Sequence, residues 1–319
     1  MNSALLPPGF YDVLPPHAGR QAKAVETLMA AFQAAGYARV DAPLMEFEET
    51  LLSGPGEALS ATTFRVMDPI SQRMLGFRTD HTLQIGRIAG TRLSDMPRPL
   101  KLSYAGPVVS AGAGGLNAAR QKMQVGVELI GSLEAESDAE VIRRAAKALA
   151  ALGMKDVSID LLLPTLVAAI AEESGMGPEA RGQLHKALDR KDEAAVKALA
   201  QASGLGPQAS VLDSALKLMH AGGEPAKALK ALSEVKLPKK AEADRERLQK
   251  TLSLLGKDFP ARLSVDLVET RCFEYQTGLS FSFFAGGMEG VLGRGGRYRT
   301  QSGEPATGFT FYAEALAAN

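Results

Sequence analysis

Tryptophan is absent, cysteine occurs once, and neither charge sign is in excess: 36 Lys and Arg stand against 36 Asp and Glu. Each shortage excludes something. A single thiol, Cys272, rules out an internal disulfide framework and a cysteine-built zinc site, and it fits a reducing compartment. Arg271 beside it can lower a thiol pKa, but with no recognisable His partner Cys272 reads as unreactive. Balanced charge removes the bulk attraction by which basic proteins grip nucleic acid. No apolar run approaches the ~18–20 residues of a membrane span. The start, MNSALLPPGFYDVLPP, lacks the basic-then-apolar order of an export signal. The expected location is the cytoplasm. His17, His81, His185 and His220 have no metal-ligand spacing and read as surface or helix polar residues, so no metal is expected. There is no Walker A sequence. The glycine-rich stretches Gly112–Gly115 and Gly293–Gly296 lack the Lys-Ser/Thr that would make them a phosphate cradle, and no cofactor is expected.

What is present is a mixed pattern. Val25, Leu28, Met29 and Phe32 form one face of a helix over about 20–35, closed by Gly36. A short strand at 38–40 leads to Pro43. Segments 63–68 and 73–78 flank a Pro-Ile-Ser-Gln turn as a hairpin, and a helix runs from near Asp80 to Leu93 with Thr79 as its N-cap. Two antiparallel strands occupy 100–131 around a Gly-Ala-Ser loop. In the second, Met123, Val125, Val127 and Leu129 make an apolar side. Gln124, Gly126 and Glu128 make the opposite, solvated side. Four residues at ~3.3 Å each set Gln124 and Glu128 about 13 Å apart along the strand. Ser137 and Glu140 read as a capping box opening a helix that stops at Gly153. From about 165 to 256, Ala, Leu, Lys and Glu dominate and Gly-Pro breaks delimit four or five helices. Strands resume at 263–267, 273–284 and 290–298, and a strand-helix unit over 308–318 follows. The fold class is therefore α+β, with a helical insertion at 163–260 dividing a core of 1–162 and 261–319.

The chemistry-bearing residues gather at strand and helix ends: Arg78 to Thr82, then Gln124-x-Gly126-x-Glu128, then Arg271 to Gly278. Singly, each is ordinary, since an Asp-x-Thr is usually a cap and a Gln/Glu strand face is usually solvated. Their order and spacing are specific. Phe32 to Pro43 resembles the first motif of class II aminoacyl-tRNA synthetases, which builds their dimer interface. Phe77-Arg78-Thr79-Asp80-His81-Thr82 is similar to the Arg-Pro-Glu-Gly-Thr segment of histidyl-tRNA synthetase, and 106–131 matches the second motif without a gap. Arg271 to Gly278 is similar to the histidine-specific Arg-Gly-Leu-Asp-Tyr-Tyr-Thr-Gly run. Gly295-Gly296-Arg297-Tyr298 and 306–316 are similar to the closing Gly-Gly-Arg-Tyr and third motif. The resemblance covers about 5–160 and 260–319. It implies an antiparallel class II sheet flanked by helices, with an insertion where the synthetase also carries one.

The departures turn the functional reading. The family's Phe-Arg-x-Glu, which holds the ATP α-phosphate and adenine, falls on Val109-Ser110-Ala111-Gly112, and the γ-phosphate arginine falls on Ala315. Nucleotidyl transfer depends on preorganised positive charge at the phosphates, and each lost donor costs several kcal/mol of transition-state stabilisation. No anticodon-binding domain is expected after the third motif, and tRNA charging is not expected. By the resemblance, Asp80, Thr82 and Gln124 would face a ligand's α-amino group, Glu128 an imidazole and Arg271 a carboxylate. Tyr275 keeps the first tyrosine of the Tyr-Tyr pair, but Gln276 replaces the second and alters imidazole recognition. The logic is general: acid pairs ammonium, arginine pairs carboxylate, and a second acid accepts an imidazole N–H.

A histidyl-tRNA-synthetase-like core without its ATP residues resembles the regulatory subunits of ATP phosphoribosyltransferase. The resemblance implies a non-catalytic subunit of histidine biosynthesis, a homodimer within a hetero-oligomer that includes a short-form catalytic subunit, with histidine as effector. Two other readings stay open. An amino-acid-activating class II enzyme would need an ATP site and would show amino-acid-dependent pyrophosphate exchange. A tRNA-binding or sensor protein would need a basic face, for which Lys239-Lys240 and Arg245/Arg247 form the only local cluster.

Overall fold

The computed structural model describes residues 6–112, 119–173, 175–202, 207–269 and 275–317. After an irregular lead-in comes α1 (His17–Ala34), which buries Ala24, Leu28 and Phe32 and ends before Gly36, whose φ of +84° suits glycine. Then follow β1 (Ala38–Arg39), β2 (Met45–Phe47), α2 (Glu48–Leu51), a 3-10 segment (Gly54–Thr62), β3 (Arg65–Met67), β4 (Met74–Phe77) and α3 (His81–Thr91). The long strands β5 (Leu100–Val109) and β6 (Gln121–Ile130) precede α4 (Ala135–Ala151) and β7 (Ser158–Leu162). Six helices come next: α5 (Pro164–Glu173), α6 (Pro178–Asp189), α7 (Glu193–Ala202), α8 (Pro207–His220), α9 (Pro225–Ser233) and α10 (Lys239–Leu255). The chain continues with β8 (Arg262–Asp266), β9 (Gln276–Phe284), β10 (Gly293–Arg299), β11 (Pro305–Tyr312) and α11 (Ala313–Leu316).

Eight strands form one sheet in the order β1-β5-β6-β11-β10-β9-β7-β8, parallel only at β1–β5 and β7–β8. The hairpin at 63–78 instead joins a separate three-stranded sheet, β2-β4-β3. Registers in the large sheet sort its side chains by face. On one face, Phe281, Gly295, Phe309 and Val127 stand side by side, as do Phe283, Gly293, Phe311 and Val125. A Cβ on Gly295 would come within 2.2 Å of the Phe281 ring and one on Gly293 within 2.6 Å of the Phe311 ring, so these two glycines of β10 make room for phenylalanines rather than for a phosphate. Helices α1 and α4 cover this face, and the helices from 164 to 255 join the same apolar cluster through residues such as Leu166, Leu188 and Leu248.

Several local expectations need correction. The N-cap of α3 is Asp80, whose side chain accepts from the Thr82 amide, not Thr79. Helix α4 starts at Ala135, two residues before the expected capping box. Ser137 bonds Ser132 and Glu140 pairs with Lys101 at 2.8 Å, so the box does not form. Strand β7 carried no signal beyond a short apolar run, and six helices rather than four or five fill 164–255 among the described residues. The 273–284 strand begins at Gln276, while Cys272 and most of the Gly112–Gly115 stretch lie outside the described residues.

Candidate functional site

The other face of the sheet is built from small and polar residues. Leu102, Tyr104 and Gly106 of β5 pair with Glu128, Gly126 and Gln124 of β6, which pair in turn with Gly308, Thr310 and Tyr312 of β11. This side was expected to be solvated. Instead α3 packs over it, and Gln124 and Glu128 are only 2 % and 1 % exposed. A second apolar cluster, including Ile85, Leu102, Tyr104, Tyr275 and Tyr298, seals it.

Asp80 has extended backbone, and its carboxylate accepts from the Thr82 N–H at 3.0 Å, satisfying a donor orphaned at the start of α3. Its other oxygen accepts from the Tyr275 hydroxyl at 2.6 Å. Thr82 turns its hydroxyl to Glu128 Oε1 at 2.9 Å, and Tyr298 donates to Glu128 Oε2 at 2.9 Å. Gln124 Oε1 accepts from the His81 backbone N–H at 3.1 Å and sits 3.1 Å from His81 Nδ1. The His81 ring stacks on Tyr104 with centroids 4.8 Å apart and planes 9° from parallel. Five of the expected residues, Asp80, Thr82, Gln124, Glu128 and Tyr275, therefore converge. Arg271 lies outside the described residues.

Burial dominates the electrostatics. It pushes Glu128 up to about 8, against the opposing bonds from Tyr298 and Thr82. Asp80 is raised for the same reason, and its bonds from Tyr275 and Thr82 oppose that rise. Burial, helped by the nearby Arg78 charge, lowers His81 to about 4, so its imidazole is neutral at physiological pH. Close backbone approach makes the cluster possible. A Cβ on Gly308 would stand 1.9 Å from Glu128 Oε2, and one on Gly126 would stand 2.5 Å from the Tyr104 hydroxyl. A narrow cleft beside the cluster is lined by Glu128, Tyr275, Gln276, Arg294, Tyr298 and Thr310 among others. Its free interior of about 10 Å³ is the space of a single water.

Sequence reasoning passed over part of this site. His81, read as an ordinary surface or helix residue, is 1 % exposed and central. Tyr104, which alternates with Leu100 and Leu102 along its strand, is the ring on which His81 stacks. Thr310 carried no signal. The available signal for Tyr104 was a phenol in a row of leucines, since a buried hydroxyl needs a partner; here it meets Thr310.

At the two phosphate-linked positions of the synthetase motifs the chemistry is neutral. The Ser110 hydroxyl donates to the Gly112 carbonyl at 2.8 Å, and Ala315 packs its methyl against the main apolar core. In the basic cluster of α10 both arginines are paired, Arg245 with Glu242 and Arg247 with Asp138 at 3.2 Å. Among the described residues, no three His, Cys, Asp or Glu side chains could jointly hold a metal. None of the described helices is long and apolar enough to cross a membrane.

The antiparallel sheet and the acid–tyrosine site define a class II, histidyl-tRNA-synthetase-like protein, and residues 9–316 match the histidyl-tRNA synthetase family. Within that class the chain belongs to the ATP phosphoribosyltransferase regulatory subunits. The regulatory subunit of Rhodospirillum centenum is 51 % identical over 317 residues, covering 99 % of this chain and 80 % of the relative. That of Paramagnetospirillum magneticum is 49 % identical over 318 residues, covering 99 % and 82 %. Among solved structures, an ATP phosphoribosyltransferase regulatory subunit/histidyl-tRNA synthetase from Bacillus halodurans superposes with a TM-score of 0.85 at 23 % identity, covering 99 % of this chain and 83 % of that one. A chain of the Thermotoga maritima ATP phosphoribosyl transferase (HisG:HisZ) complex gives 0.70 at 17 % identity, covering 92 % and 97 %. At these identities the two structures establish the fold.

Proposed function

We propose that this chain is a non-catalytic subunit that supports a short-form catalytic subunit of ATP phosphoribosyltransferase and passes histidine feedback to it. The observation that carries the reading is the contrast within one site. The acids and hydroxyls suited to an amino acid are assembled, while Ser110 and Ala315 put no cation at the phosphate positions. An ammonium would pair with Asp80 and an imidazole N–H with Glu128. Because Tyr275 and Tyr298 already bond these acids, ligand entry requires the phenols to turn aside. Histidine then shifts the assembly only by its differential affinity for two states. In this reading the chain is cytoplasmic, homodimerises through 32–43 and neighbouring residues, and carries 163–260 as an insertion between two halves of one core.

The test is to mix the purified chain with a short-form catalytic subunit and follow co-elution and turnover with and without histidine. A complex whose activity exceeds that of the catalytic subunit alone, and falls on adding histidine, is expected. No complex and no change in activity would sink the proposal. Amino-acid-dependent pyrophosphate exchange by the chain alone would overturn its non-catalytic part. Calorimetric titration with histidine should give a signal that Glu128→Ala abolishes.

A further inference from the structure

We propose that Arg294 recognises the carboxylate of the ligand in this cleft, an assignment that rests on the amino-acid reading above. Arg294 lies opposite Thr310 of β11, which lies opposite Gly126 of β6, so it shares the sheet face of Glu128 and Gln124. Two strand spacings put its Cα about 10 Å from β6, within reach of an extended guanidinium. It is half-buried and lines the cleft with Glu128 and Gln276, the only cation to do so among the described residues. The two acids nearest the ligand position do not neutralise it: Asp80 bonds Tyr275 and the Thr82 amide, and Glu128 bonds Thr82 and Tyr298. No described residue forms an ion pair with it. A partly desolvated guanidinium with no internal counter-ion favours an anion, and a carboxylate matches its fork.

A second observation marks the cleft as built for a ligand. Gln276 donates its amide Nε2 to the Gly295 carbonyl at 2.8 Å, and that bond fixes which way the amide points. Its Oε1 is thereby left buried and without a hydrogen-bond partner, an arrangement that is costly unless something donates to it. The cleft thus offers acceptors in Gln276 and Glu128 and a cation in Arg294. A free amino acid with an N–H-bearing side chain has the matching groups.

Calorimetric titration of the full chain with L-histidine and with histamine, which lacks the carboxylate, tests this. Wild type should prefer histidine. Arg294→Met should weaken histidine by about 10- to 100-fold while leaving histamine within about twofold, as expected for losing a charge-assisted contact. Arg294→Lys should recover part of the loss, and unfolding curves establish that both variants are folded. The proposal is overturned if Arg294→Met weakens both ligands equally or neither, or if Arg271→Met alone removes the preference. Wild type binding neither ligand would instead sink the amino-acid reading and this assignment with it.

Discussion

The two faces of the eight-stranded sheet use the same strands for opposite purposes. One face carries Phe281, Phe283, Phe309 and Phe311 in edge-on and tilted contact with centroids 4.8–5.6 Å apart, as stable cores do. Directly behind them, Gly126, Gly308 and Gly296 replace bulk with space, and two acids sit nearly water-free. The first face gains from burial; the second is burdened by it, since desolvation outweighs the bonds from Tyr298 and Thr82 and leaves Glu128 at about 8. The proposed recognition face is thus held in place by the packing on the reverse side of its own strands.

The largest effect should come from the packed face. Phe283→Ala, at a ring touching three other phenylalanines, should cost about 3–5 kcal/mol in denaturant unfolding. A smaller loss would mean that the two faces are less unequal than the packing indicates. Next comes the pH response of the acid face. Glu128 is fully protonated in both folded and unfolded states below its ordinary value of 4.5. As pH rises, the unfolded chain releases this proton first, so stability falls between about 4.5 and about 8 and then levels. Glu128→Gln should remove a few kcal/mol of that slope; an unchanged slope would show that Glu128 ionises normally in the fold. Gly308→Ala should cost about 1–3 kcal/mol through overpacking, and it should also abolish histidine binding, because the added methyl meets Glu128 Oε2. A variant that binds normally would refute the close-approach argument. Smallest is Thr310→Val, expected to cost about 1 kcal/mol by thermal unfolding, since Tyr104 loses one hydroxyl partner but keeps weaker neighbours.

Much of the first face was legible because alternation of Val125, Val127 and Leu129 is a pattern of residues near in sequence. The motif order also marked Asp80, Gln124, Glu128 and Tyr275. The chemistry of the second face was legible only in part. Gln124 and Glu128 read as solvated because their shielding comes from α3, about 40 residues away, and no local period announces a cover. His81 read as ordinary because its meaning depends on Tyr104 beneath it. The cap of α3 moved from Thr79 to Asp80 because either oxygen can serve, and the fold chose the one that also faces Tyr275.

Asp80 performs two duties with one carboxylate, starting a helix and holding Tyr275, which lines the cleft. A genetic screen for chains that fold and assemble yet no longer respond to the effector will therefore seldom return changes at position 80, where blindness and unfolding come together. It should return them at Gln276 and Arg294, whose side chains line the cleft and carry little of the fold, so the map of surviving unresponsive alleles would trace the site without touching Asp80.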